Sequence, residues 1–190
     1  MKKLLFILFF LNFLYSHDFW IEISNPFPKL NEEIKIFIKG GHKIFESEFS
    51  PKEKLMKEFK LVEPDGNEIN LEYKKEKNYL LSSFKINKEG VYLICFILSK
   101  PDGEIFYIGK NYFYVEKLTE FKNLDYDFEI NLKDFDFSKD KEINFPQGNY
   151  EFMNEKGSGF FKNSYKVKKG LNLLIKREKG KVCTLTFYSH

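Results

Sequence analysis

The chain has 190 residues, 43% of them hydrophobic and 31% charged. That is enough apolar material for a packed core and unlike the composition of a disordered chain. Its 31 basic and 28 acidic residues nearly balance, so charge gives no basis for nucleic acid or an anionic membrane surface as a partner.

Alanine is absent, while phenylalanine (23) and tyrosine (11) are abundant. Lacking the best helix former and rich in aromatics, the chain favours strands. Arg177 is its one arginine, which leaves little capacity for forked recognition of phosphate or carboxylate.

Met1-Lys2-Lys3 is a short basic start, and residues 4–15 are apolar apart from Asn12. Ser16 then supplies a small residue at a cleavage position. This is the layout of a secretory signal peptide, and the apolar run is shorter than the ~20 residues of a spanning helix. The expectation is a signal peptide over 1–16, a periplasmic or secreted mature chain, and no transmembrane helix in it. Losing Lys2 and Lys3 leaves 29 basic residues against 28 acidic ones. His17 then becomes the first residue, and an N-terminal histidine offers both its α-amine and its ring to one metal ion.

From there the pattern is β. Phe19, Ile21 and Ile23 alternate with polar or bulky neighbours, and Ile34, Ile36 and Ile38 repeat the pattern up to Gly40-Gly41. Ser50-Pro51-Lys52-Glu53 has the form of a capping box and predicts a short helix through Phe59. Two strand-turn-strand units follow, around Pro64-Asp65-Gly66 and Pro101-Asp102-Gly103. Proline presets φ, aspartate closes an Asx-turn, and glycine accepts positive φ.

The strand opened by Gly90-Val91-Tyr92 resembles the late strand of an immunoglobulin-like sandwich. Cys95 lies three residues after Tyr92, not the two of antibody domains, so it faces the opposite way. Residues 117–127 read as a charged linker, and short strands continue over 126–188. The fold class read here is all-β: an immunoglobulin-like antiparallel β-sandwich over 17–118, followed by a small C-terminal β domain or extension over 125–190. About 65 residues is marginal for independent stability, so docking onto the first unit is expected.

Cys95 and Cys183 are the two cysteines. In an oxidising compartment they read either as a disulfide, closing a long loop for about 4–5 kcal/mol, or as two buried thiols in separate strands. The three histidines are His17, His42 and His190. His42 follows Gly40-Gly41 at a strand end. If the first two strands pair, His17 and His42 come together as an amine and two imidazoles. That donor set suits nickel, cobalt or copper, with zinc possible as well. Asp18, Glu46 and Glu48 are candidates for a further oxygen ligand. His190 reads as a solvated tail, and Trp20 as core or sheet-face packing.

His17-Asp18-Phe19-Trp20, then Gly40-Gly41-His42-Lys43-Ile44-Phe45-Glu46, then Phe59-Lys60-Leu61-Val62-Glu63-Pro64-Asp65-Gly66 together resemble an uncharacterised bacterial periplasmic domain family. That family is associated with nickel and cobalt uptake, including the periplasmic part of the nickel-uptake substrate-specific transmembrane component. The resemblance covers about residues 16–116. It implies an immunoglobulin-like domain that binds or delivers a transition metal, with His17 and His42 at the family's two histidine positions and metal-uptake transporter components as partners.

The chain shows no Gly-x-Ser-x-Gly elbow, no phosphate-cradling glycine loop and no His-Glu-x-x-His helix, so no enzyme is expected. The competing function class is a structural or adhesive extracytoplasmic module without metal.

Overall fold

Alternating apolar residues become paired strands, because successive strand side chains point to opposite faces. The computed structural model describes residues 18–25, 28–42, 46–115, 142–154, 156–178 and 181–189. The expected signal peptide, His17, the linker over 117–127, the strand over 126–133 and His190 lie outside the described residues. In chain order the strands are β1 (Asp18–Ile23), β2 (Glu33–Gly41), β3 (Met56–Val62), β4 (Glu68–Asn70), β5 (Lys74–Lys75), β6 (Tyr79–Lys85), β7 (Gly90–Ser99) and β8 (Ile105–Val115). They continue with β9 (Glu142–Asn144), β10 (Tyr150–Asn154), β11 (Gly157–Phe161), β12 (Ser164–Lys166), β13 (Gly170–Glu178) and β14 (Lys181–Ser189). Among the described residues no helix is long and apolar enough to cross a membrane.

The protein is an all-β sandwich with an extension. One sheet has the order β1-β2-β6-β5, and the second has the order β11-β10-β13-β14-β8-β7-β3-β4. Ile21, Ile34, Ile36, Ile38 and Leu80 from the first pack against Leu61, Tyr92, Ile94, Phe96 and Phe113 from the second. Burying one such aliphatic side chain contributes about 1.5–3 kcal/mol. The Tyr92 hydroxyl accepts from the Lys88 amide at 2.9 Å and lies 3.0 Å from Asn87 Oδ1, tying the strand back to the loop before it. This is the tyrosine corner of immunoglobulin-like sandwiches.

The second sheet is covered on its other face too. Leu93, Cys95, Ile97 and Ile108 pack there with Ile143, Tyr150, Tyr165, Leu174, Cys183 and Leu185. Burial on both faces explains why residues 91–98 form an unbroken apolar run rather than an alternating one. Tyr92 and Cys95 do face opposite ways, one in each core.

The C-terminal strands share a sheet with the first unit. β14 pairs with β8 in parallel, from Val182↔Tyr107 to Thr186↔Asn111, so the C-terminal strands continue the same sheet. Trp20, fully buried on β1, packs against Leu173 and Ile175 of β13.

Two expectations are corrected. The helix through Phe59 is only a 3-10 turn, Glu53–Leu55, with no side-chain cap. β3 begins directly after it because its backbone is committed to β7. The Cys95–Cys183 disulfide is not formed, and both residues are buried thiols. Cys95 lies opposite Lys110 and Cys183 opposite Ile108, so β8 runs between them. Two strand spacings put their Cα atoms at least ~9 Å apart, beyond the ~7 Å limit for a bridge.

Both Pro-Asp-Gly turns form as read. Gly66 and Gly103 have φ of 88° and 87°, and Asp65 and Asp102 each accept the amide two residues on.

Candidate functional site

The first two strands pair antiparallel, and the last pairs at one end of the ladder are Phe19↔Gly40 and Asp18↔Gly41. Asp18 is the chain neighbour of His17, and Gly41 that of His42. The strand pairing on which the two-histidine expectation depended is therefore present.

Gly40 is required by what lies over it. A Cβ there would sit 2.5 Å from Phe49 Cε2 and 2.9 Å from Phe19 Cε1. The chain folds back so that Gly40 and Phe49 exchange amide bonds at 3.0 and 3.1 Å, and the Glu48 amide also donates to Gly40 O. Ser47 and Asn78 tie this returning segment down, with Asn78 Nδ2 donating to Ser47 O at 3.0 Å. Phe49 stands edge-on to Phe19 at 5.8 Å and to the His42 ring at 6.2 Å.

The fold-back delivers Glu48 to His42. Glu48 Oε2 lies 2.7 Å from His42 Nδ1, and Glu48 Oε1 accepts the His42 amide at 3.2 Å. Both side chains are partly open to solvent, at 36% and 40%. With the proton on Nδ1, the ring's lone pair is on Nε2. A carboxylate that orients a histidine in this way is the usual support of a metal-ligating imidazole. Glu48 thus touches the ring directly. Glu46 is exposed in the same segment.

Asp18 has a different neighbour. Arg177 Nη2 donates to Asp18 Oδ1 at 3.0 Å, and Arg177 Nε donates to Glu151 Oε1 at 2.8 Å. Burial opposes the guanidinium charge, but the two carboxylates outweigh it and raise its pKa further. Through Arg177, Asp18 ties β1 to the C-terminal strands.

Among the described strands β1 stands at one end of its sheet, and β8 supplies side chains to the side away from β2. The Tyr107 hydroxyl accepts the Phe19 amide at 2.8 Å and donates to Phe19 O. Asn111 Nδ2 donates to Ile21 O at 3.0 Å. Burial first, then the Asp18 charge, push the Tyr107 phenol far above its ordinary pKa.

Among the described residues, no three His, Cys, Asp or Glu side chains gather as a metal-binding group. The described part of the candidate site is His42 with Glu48. Sequence reasoning missed the Phe49 cover, the Tyr107 clamp and the Arg177 fork. Only Arg177 carried a signal, as the one arginine of the chain.

No family model matches the chain, and no curated protein does. The family resemblance therefore rests on the His-Asp-Phe-Trp, Gly-Gly-His and Pro-Asp-Gly words alone. Solved structures align over most of it. A DUF4785 family protein from Legionella pneumophila has 12% identity and a TM-score of 0.38, covering 91% of this chain and 55% of its own. The chain thus spans about half the length of that structure. Salmonella alpha-2-macroglobulin reacted with methylamine has 10% identity and a TM-score of 0.33, covering 90% of this chain and 15% of its own. The fibronectin(III)-like modules of Clostridium thermocellum CbhA have 12% identity and a TM-score of 0.25, covering 89% and 93%. Likenesses this distant carry no functional argument.

Proposed function

We propose that the protein is an exported, non-enzymatic transition-metal binder for nickel, cobalt or copper, acting in uptake or handling of the metal. The observation that carries this reading is the pair Asp18↔Gly41 at the end of the β1–β2 ladder. Each residue is bonded to one of the two histidines, and a peptide step is about 3.8 Å. His42, with its ring oriented by Glu48, would supply an imidazole nitrogen. His17, freed by cleavage after Ser16, would supply its ring and its α-amine. Three nitrogens suit late first-row divalent metals, with zinc a weaker candidate than copper by intrinsic affinity. The likeness of the histidine words to a nickel- and cobalt-associated periplasmic family agrees, and makes metal-uptake transporter components the natural partners.

The test uses chain that begins at His17. Nickel, cobalt, copper and zinc are titrated into it and into His17→Ala and His42→Ala variants. One metal per chain is expected, with affinity lost in both variants and in a chain extended by one residue before His17. Affinity should also fall with pH, because amine and rings must be deprotonated to bind. Unchanged stoichiometry and affinity in both variants would overturn the proposal.

A second reading, a metal-free interaction module, is favoured by one feature. Phe160 is 81% exposed on β11, an edge strand of the eight-stranded sheet. Exposed edges with apolar side chains invite strand addition. A partner from a periplasmic extract that binds in chelator and is lost on Phe160→Lys would support it over metal binding.

A further inference from the structure

We infer that β11 is a self-association edge: two copies of the chain pair their β11 strands antiparallel about a two-fold axis, joining their eight-stranded sheets into one. The inference is independent of metal binding, and it gives the exposed strand of the second reading an occupant. Sheet ends are ordinarily guarded by charge, proline or a bulge. Of the described end strands, β5 is Lys74-Lys75, β4 carries Glu68, and the two-stranded sheet has Glu142 on β9 and Lys166 on β12. β1 carries Asp18 and Glu22 and is served by the Tyr107 hydroxyl. β11 ends the eight-stranded sheet with Gly157-Ser158-Gly159-Phe160-Phe161, which has neither charge nor proline. It also carries Phe160, at 81% the most exposed large apolar side chain among the described residues.

The order of residues in β11 says what fits beside it. Small residues fill its first half and aromatic ones its second. An antiparallel copy centred on Gly159 sets Ser158 opposite Phe160 of the second copy, and Gly157 opposite Phe161. Small then meets large on both faces, and such cross-strand pairs are the unit of sheet stabilisation. Met153 of β10 is paired with Ser158 and half-buried. Phe160 of one copy would therefore reach across Ser158 of the other towards an apolar side chain. The two-fold axis makes this contact twice and closes the assembly at two copies.

Charge and area set the strength. Lys156 and Lys162 flank the strand, both exposed. In this register Lys156 of each copy faces Lys162 of the other. Like charges weaken the pairing and are screened by salt, so association strengthens with ionic strength. Two five-residue strands fall short of the ~1,200 Å² buried by a stable standard interface. The dimer is therefore weak and reversible, with a Kd on the order of 100 µM.

The experiment is sedimentation equilibrium on chain beginning at His17, in chelator, from about 5 to about 500 µM to bracket that Kd. It is run at low and high salt, on wild type, Phe160→Lys and Lys162→Glu, with Tm recorded for each. Both substitutions are at exposed positions, so Tm should stay at the wild-type value. Wild type should dimerise reversibly and more tightly at high salt. Phe160→Lys should weaken dimerisation by at least about 10-fold. Lys162→Glu turns both like-charge pairs into opposite-charge pairs. It should tighten the dimer by about 5-fold and reverse the salt effect.

A wild type that stays monomeric over the whole range would overturn the inference. So would association that Phe160→Lys leaves intact, or a Lys162→Glu variant no tighter than wild type. A monomeric wild type that captures a different protein through Phe160 also overturns it, while leaving the second reading standing.

Discussion

The Tyr107 hydroxyl serves both backbone groups of Phe19, accepting its N–H and donating to its C=O. One side chain from the second sheet thus serves a β1 residue on the side away from β2. Tyr107→Phe keeps the ring, which stands edge-on to Phe19 at 5.1 Å, and removes only the oxygen. Denaturant unfolding should show a loss of about 1 kcal/mol, the cost of stranding part-buried backbone groups. Hydrogen exchange at the Phe19 amide should accelerate. The same phenol has a folded pKa raised far above 10.0. Its contribution to stability is therefore complete below pH 10 and is lost as pH rises beyond that. Alkaline unfolding in wild type should start there, and Tyr107→Phe should blunt it.

Gly40 is closed over by Phe49 and Phe19. Gly40→Ala should cost about 1–3 kcal/mol by overpacking, and metal affinity should fall with it, because the fold-back that carries Glu48 is displaced. The double variant Gly40→Ala with Phe49→Leu should recover part of both losses in unfolding and titration measurements.

Glu48→Gln separates ligand orientation from stability. The pair with His42 is exposed, so its loss should change stability by less than about 1 kcal/mol. Under the metal-binding proposal, affinity should nevertheless fall by about 10- to 100-fold. A competition titration beside a thermal melt checks both.

Glu63 is a buried carboxylate, held by Lys88 at 2.6 Å and Asn67 at 2.9 Å. Burial works against its charge, but the hydrogen bonds from Lys88, Asn67 and Asn87 outweigh it and hold its pKa below 4.5. Its stabilising effect is therefore present above pH 4.5 and lost as pH falls through the lower folded value. Lys88→Met should lower stability at neutral pH. It should also move the acid unfolding limb to higher pH, read by circular dichroism.

Cys95 and Cys183 should show the mass of two thiols, with no two-proton deficit. Burial, the leading cause, pushes the Cys95 thiol up to about 11. It should resist alkylation at pH 8 in the folded protein and react after denaturation.

Much of the fold was legible because its causes are local. Period-2 alternation set the faces of β1 and β2, and the Pro-Asp-Gly words set two hairpins through φ and Asx-turn chemistry. The Tyr92-to-Cys95 spacing alone placed these residues on opposite faces. The unbroken apolar run over residues 91–98 also carried the double burial of β7, a signal left unused. The capping box failed because cap chemistry is only a local preference, and pairing of β3 with β7 outweighed it.

By itself, the sequence determined that this is a β protein with His42 at a strand end beside glycines, because backbone geometry and side-chain alternation are properties of neighbouring residues. Tertiary structure alone decided the rest. β14 joins β8 in parallel across more than 60 residues, keeping the cysteines apart and bringing Arg177 to Asp18. Glu48 turns back onto His42. Such pairings arise from burying two sheet faces at once, and they leave no pattern in any single stretch of chain.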